Sequence, residues 1–159
     1  MITVKMGRDY LELAVKKARE AFVRGEVPVG CVVVREGEVI GSAHNMTETT
    51  KDPTAHAEIL AIREASSRVG DWRLEGCEVF VTLEPCVMCA YALVLARVKR
   101  VTFGALDRRH GGVITLYSIL DDERLNHRVL WVYDPVEECS RILEEFYRLK
   151  RDGGGCPQG

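Results

Sequence analysis

Long apolar runs are missing from this sequence. The longest, Val87–Ala96, is about half of what a bilayer crossing requires. The opening Met1, Ile2, Thr3, Val4 and Lys5 lacks the apolar stretch of a secretory signal, so a cytoplasmic protein with no membrane partner is expected. An excess of one charge is also missing. With 22 Lys and Arg against 24 Asp and Glu, the net charge of −2 excludes the blanket positive field of a general nucleic-acid coat and leaves room only for a local basic patch. Internal repeats and linkers are absent as well, which excludes an array or a multidomain chain.

What is there describes one globular domain: 159 residues, 47% hydrophobic and 29% charged. Such a chain buries roughly two-thirds of its unfolded surface, so no disulfide staples are needed. Six cysteines in a chain without an export signal stay reduced, which turns the question from pairing to metal binding or catalysis. We place the domain over residues 1–152 and read the glycine-rich end, 153–159, as a disordered tail.

Hydrophobic periodicity orders the elements. Leu11, Ala14, Val15, Ala18, Ala21 and Phe22 recur at helical spacing over residues 9–24, with Asp9 and Glu12 as a capping box. The β-branched run 29–34, a turn at 35–38 and Val39 with Ile40 read as a hairpin. The polar stretch 45–52 reads as a loop, and Pro53 opens a helix over 54–69 with Ile59, Leu60, Ile62 and Ala65 inward. Residues 77–82 alternate as a strand, Pro85 breaks it, and residues 87–97 are apolar almost all round, as in a buried helix. Strands at 100–104 and 129–133 follow, and Pro135 starts a last helix through Lys150. This order predicts an α/β fold with a mixed sheet of about five strands, covered by helices on both faces.

Chemistry concentrates at two helix starts. His56-Ala-Glu58 opens one helix and Pro85-Cys86-Val-Met-Cys89 opens the next. Cys86 and Cys89, three apart, share a helical face, and His56 adds an imidazole from the neighbouring helix. Three ligands of this softness suit one zinc ion and leave a fourth tetrahedral position open to water. Helix macrodipoles favour thiolate over thiol at these positions. Glu58, two residues from His56, reaches the same site only if the site lies beyond the helix end; it would then move protons from water to substrate. The alternative is a closed structural zinc site with Cys77 or His44 as fourth ligand, in which Glu58 has no purpose. Cys31 and Cys139 sit in apolar patterns as core residues, Cys156 is a thiol in the tail, and His110 and His127 are not assigned to metal.

His-x-Glu followed by Pro-Cys-x-x-Cys resembles the signature of the zinc-dependent nucleoside and nucleobase deaminases. The flanking segments Gly25-Glu-Val-Pro-Val-Gly30, Asp52-Pro-Thr-Ala-His-Ala-Glu58, Val81-Thr-Leu-Glu-Pro-Cys-Val-Met-Cys-Ala90 and Asn126-His-Arg-Val129 are similar to the bacterial tRNA-specific adenosine deaminases, over nearly the whole chain. The resemblance implies a three-layer α/β/α, cytidine deaminase-like fold, a homodimer with one Zn2+ per subunit, and conversion of the wobble adenosine of a tRNA anticodon loop to inosine. It implies metal ligation by His56, Cys86 and Cys89, proton transfer by Glu58, a hydrogen bond from Asn45 to the flipped nucleotide, and a pocket lined around Val29, Gly30 and Thr54. One segment departs: Arg108-Arg-His-Gly-Gly-Val-Ile-Thr-Leu116 replaces the small-residue, serine and leucine stretch of the family, so the family's RNA contacts there do not carry over.

An anticodon-loop substrate needs cations for its phosphates and a cavity for the extruded base. Arg108 and Arg109 follow the apolar helix in a cluster of cations. Phe146, Arg148, Lys150 and Arg151 combine an aromatic with cations at the end of the last helix. The same cations complement a helix macrodipole, and Phe146 fits a core position equally well. A free nucleobase or nucleoside deaminase, acting on cytosine or guanine, shares every zinc residue and is the nearest rival. A non-catalytic zinc-stabilised RNA-binding module is the rival from another class.

Overall fold

The computed structural model describes residues 7–153, so the expectations for Cys156 and for the tail beyond Gly153 lie outside the described residues. Helix α1 (Gly7–Val23) buries Tyr10, Leu11, Ala14, Val15, Ala18 and Ala21. It begins before Asp9, which therefore lies in the first turn instead of capping the helix. Strands β1 (Gly30–Arg35) and β2 (Glu38–His44) form the expected hairpin, closed by Glu36 and Gly37 at positive φ. The stretch expected to be a loop contains a single helical turn, α2 (Thr47–Thr50). Then follow α3 (Ala57–Val69), β3 (Glu78–Val81), α4 (Val87–Ala96), β4 (Arg100–Phe103), a 3-10 turn at Ile119–Asp121, β5 (Leu130–Tyr133) and α5 (Glu137–Asp152).

The sheet is mixed, in the order β2-β1-β3-β4-β5. β1 runs antiparallel to both β2 and β3, whereas β3, β4 and β5 are parallel. Alternation sorts the central strands between two apolar layers. Cys31, Val33, Val79 and Val81 join the core shared with α3 and α4, while Val32, Val34 and Phe80 pack with Tyr10 and Leu11 of α1. Backbones approach closely on both faces. A Cβ on Gly30 would stand 1.9 Å from the Ala14 carbonyl oxygen, so only glycine lets α1 lie this near β1.

Two expectations about the helices are corrected. The helix expected from Thr54 starts at Ala57, with His56 as its cap in extended conformation, because residues 52–54 are held in a turn by Asp52. Its inward stripe is Ala57, Glu58, Ala61 and Ala65, with Ile59, Leu60 and Ile62 only half-buried, since close packing on β2 admits small residues. Helix α4 is not buried all round. Cys89, Ala90, Leu93 and Val94 face the core, but Val87, Tyr91 and Leu95, spaced four apart, form an exposed apolar stripe.

The topology gathers one edge of the sheet. The parallel strands β3 and β4 end there, and antiparallel pairing brings the start of β1 and the end of β2 to the same edge: Gly30 pairs with His44 and Cys31 with Val81. The Asn45 N–H donates to the Val29 carbonyl at 3.1 Å and that of Thr82 to the Gly30 carbonyl at 3.0 Å. Both α3 and α4 start at this edge, and crevices at the carboxyl ends of parallel strands are where α/β sheets bind ligands.

Candidate active site

His56 and Cys86 are the N-caps of α3 and α4, both in extended backbone, so Cys86 does not sit on the helix as expected from its spacing to Cys89. The cap geometry achieves the same end. An N-cap side chain folds over the third helical position, which in α4 is Cys89. His56 Nδ1 lies 3.6 Å from Cys86 Sγ and 3.5 Å from Cys89 Sγ. Zinc bonds to sulfur and nitrogen opening at the tetrahedral angle separate the two atoms by about 3.6 Å, so this donor set fits zinc without rearrangement. Among the described residues no other group of three or more His, Cys, Asp or Glu gathers its ligand atoms this way, and the candidate fourth ligands are engaged elsewhere. Cys77 is buried in the core, and His44 Nδ1 contacts the Asn45 carbonyl oxygen at 2.8 Å.

The protons of the three donors are mutually arranged. A hydrogen bond from Cys89 holds the Cys86 thiol down to about 4 against the effect of burial. Cys89 is pushed far up, by that hydrogen bond first and by burial second. The hydrogen bond to Cys86 raises His56. Two helix N-termini converge here, and their dipoles favour the thiolate that a cation requires.

Glu58 is 4% exposed and occupies the second position of α3. Burial pushes its carboxyl up to about 7, with His56 pulling the other way. The objection that His56 and Glu58 would diverge on a helix does not arise, because His56 precedes the helix. Both line one cavity of about 410 Å3 with Cys86, Val29 and Asn45.

The structure does not bring every expected residue to this cavity. Gly30 serves the packing of α1, and Thr54 is exposed, its hydroxyl donating to Asp52 Oδ1 at 2.7 Å. Phe146 is buried edge-on against Phe22, with ring centroids 6.1 Å apart, and belongs to the core. Arg148 is tied to Glu145 and Asp152 on its own helix. Lys150 stands over the Phe146 ring and Arg151 is exposed at the end of α5. Arg108 and Arg109 are exposed beside the cavity, lining an adjoining cleft of about 590 Å3.

Sequence reasoning gave no site role to Thr47, Glu84, Asp107, His110 and Tyr147, which also line the cavity. Two buried glutamates support its walls. Glu26 accepts the Glu48 and Thr49 N–H groups at 3.1 and 2.7 Å and the Thr49 hydroxyl at 2.6 Å, so it caps α2 from another segment. Burial raises its carboxyl, but these donors outweigh burial and hold it below the usual range. Glu84 does the same for residues 107–115, and its carboxyl is likewise lowered. For Glu84 the sequence signal available was an acid in the largely apolar stretch 79–88, which is costly to bury unless paired. Glu26, preceded by Arg24 and Gly25, carried no such signal.

Residues 5–105 match the family model described as the cytidine and deoxycytidylate deaminase zinc-binding region. The chain belongs to this zinc-dependent deaminase family. The tRNA-specific adenosine deaminase of Aquifex aeolicus (strain VF5) is 56% identical to this chain over 148 residues, covering 92% of this chain and 98% of its own. That of Bacillus subtilis (strain 168) is 49% identical over 143 residues, 89% of each chain. A structure from a study of A-to-I editing by tRNA:A34 deaminases at the wobble position of transfer RNA superposes with a TM-score of 0.82 at 40% identity, covering 86% of this chain and 99% of that one. The cytidine deaminase-like, three-layer fold of this chain and its zinc cofactor follow.

Proposed function

We propose that the protein is a tRNA adenosine deaminase: a hydrolase that converts the wobble adenosine of an anticodon loop to inosine and releases ammonia, acting through a single domain over 1–152. The observation that carries this reading is a buried carboxylate, Glu58, in one cavity with a His-Cys-Cys donor set that leaves a tetrahedral position unfilled by protein. A structural zinc site needs neither feature. His56, Cys86 and Cys89 would hold the metal. Zinc in such a site supplies Lewis acidity that activates water for attack near neutral pH.

The chain's own residues do the rest. Glu58 takes one proton from water at its carboxylate and delivers it to the purine ring nitrogen as the hydroxyl adds to the amine-bearing carbon. It then takes the proton of that hydroxyl and delivers it to the amine, which departs as ammonia. Its burial excludes bulk water from that transfer. The Asn45 side chain, buried with its amide 3.4 Å from the Thr47 hydroxyl, is held to hydrogen-bond the inserted nucleoside. Val29 supplies apolar contact to the base. Arg108 and Arg109 beside the cavity, with Lys150 and Arg151, meet the phosphates of the loop. Bases of an anticodon loop are already unstacked, so extrusion is cheaper than from a duplex.

The exposed stripe Val87, Tyr91 and Leu95 supports a homodimer. Leu116 and Tyr117, in the segment leading to the 3-10 turn packed on α4, are exposed too. A second copy would cover these apolar groups, and sedimentation of wild type against Tyr91→Glu tests it: a dimer reduced to a monomer is expected. Among the described residues no helix is long and apolar enough to cross a membrane. The cytoplasmic location is proposed from the tRNA substrate.

The decisive experiment incubates the zinc-loaded protein with an anticodon stem-loop and, separately, with free cytosine, guanine and adenosine. Inosine at the wobble position alone is expected on sequencing the product. Ammonia from a free base with no inosine in the RNA would overturn the proposal in favour of a nucleobase deaminase.

A further inference from the structure

We infer that Glu84 is a positioning residue that binds the ligand Cys86 and the cavity wall 107–115 into one unit. The inference rests on reading this cavity as the active site. Glu84 is 2% exposed and sits two residues before Cys86. Its Oε2 accepts the N–H groups of Val113, Ile114 and Thr115 at 3.1, 2.8 and 3.0 Å. Its Oε1 accepts the Asp107 N–H at 3.1 Å and the Thr115 hydroxyl. Five donors from a single segment therefore converge on one carboxylate, which is a charge-assisted anchor and not an incidental contact. The Glu84 N–H donates to the Ala105 carbonyl at 2.8 Å, so the backbone is tied to the end of β4 as well.

The anchored segment presses directly on the metal-binding turn. Gly111 pairs with Cys86 in an isolated antiparallel bridge, and the Gly112 N–H donates to the Pro85 carbonyl at 2.8 Å. A Cβ on Gly111 would stand 2.4 Å from Glu84 Oε2, and one on Gly112 would stand 2.8 Å from the Cys86 carbonyl carbon and 2.7 Å from the Val87 nitrogen. The glycine pair thus admits contact that no side chain would allow. Asp107 and His110, carried on the same segment, line the cavity. A displacement of this wall is transmitted to Cys86, and residues that orient a metal ligand in this way carry much of its affinity.

Glu84→Gln keeps the length of the side chain but cannot serve these donors, because in either orientation its amide NH2 faces at least two of them. In the zinc-loaded variant, amide exchange at Val113, Ile114 and Thr115 is expected to accelerate roughly 10- to 100-fold while Val32, Val33 and Val79 in the sheet keep their protection. Zinc release into a chelator should quicken roughly 10-fold, and KM for the stem-loop should rise more than kcat falls. Exchange rising equally in sheet and loop, or an opened loop with zinc released at the wild-type rate, would overturn the inference. The exchange and release readouts need no substrate, so they judge Glu84 independently of whether RNA is deaminated. Thr115→Val removes a single donor at constant shape and serves if Glu84→Gln fails to fold. The same ordering is expected, roughly 3- to 10-fold in each rate, and wild-type values in both would sink the inference.

Discussion

At the floor of the cavity, His56, Glu58, Cys86 and Cys89 lie within the first turns of two helices, buried or half-buried, and share hydrogen bonds and protons with one another. At its rim, Arg108 and Arg109 stand in solvent where they line the adjoining cleft, and Lys150 and Arg151 stand in solvent at the end of α5. The floor acts through low-dielectric, short-range contacts, where each polar atom is costly to leave unmet. The rim acts through screened, longer-range charge, where single residues are dispensable. On the proposed reading, chemistry and RNA binding are therefore separable in this molecule, and the variants below should separate them.

The largest effect is expected at the floor. Glu58→Gln should retain zinc by elemental analysis and bind the stem-loop normally, yet lose turnover by roughly 10³-fold or more. Substantial residual inosine formation would remove Glu58 from its assigned role. Cys86→Ala should lose zinc as well as activity. It should also melt earlier, and a chelator should shift wild type in the same direction, since metal binding contributes folding energy.

Two residues near the C-terminus sharpen the contrast further. Phe146→Ala should cost about 3 to 5 kcal/mol in denaturant unfolding, as a core aromatic does, whereas Lys150→Ala, whose ammonium lies 5.4 Å from the same ring, should change stability by no more than about 0.5 to 1 kcal/mol. Equal effects would show that Phe146 is a surface residue after all. Arg108→Ala and Arg109→Ala should raise KM for RNA with kcat nearly unchanged. Each should flatten the dependence of log affinity on log salt by about 0.7.

The smallest effect concerns pH. Glu26 is held below the usual carboxyl range in the folded protein, so its anchoring of α2 is fully present above the unfolded value of about 4.3 and is lost as pH falls through its folded value. The melting-temperature difference between wild type and Glu26→Gln should be widest near neutrality and close in acid. A difference that stays constant into acid would show that the carboxylate charge does not anchor the α2 turn.

Strands and helices were legible where periodicity was strong: the hairpin, the three parallel strands and helices α1, α4 and α5 fall within a few residues of expectation. The misreadings share one cause, which is that distant partners override local signals. The α2 turn forms because Glu26, over twenty residues away, supplies its cap, and nothing in residues 45–52 announces this. The exposed stripe of α4 resembled core because an apolar side chain does not declare which apolar surface will cover it.

The sequence by itself determined the chemistry of the floor. The proposed metal ligands and the proposed proton-transferring acid sit at helix starts at short spacings, and such a local arrangement leaves a readable motif. Only the tertiary structure decided which side chains wall the cavity, that Phe146 is core and not rim, and that Glu84 ties residues 107–115 to Cys86. Those outcomes depend on sheet order and on close backbone approach between segments far apart in the chain, and no local pattern of residue types encodes either.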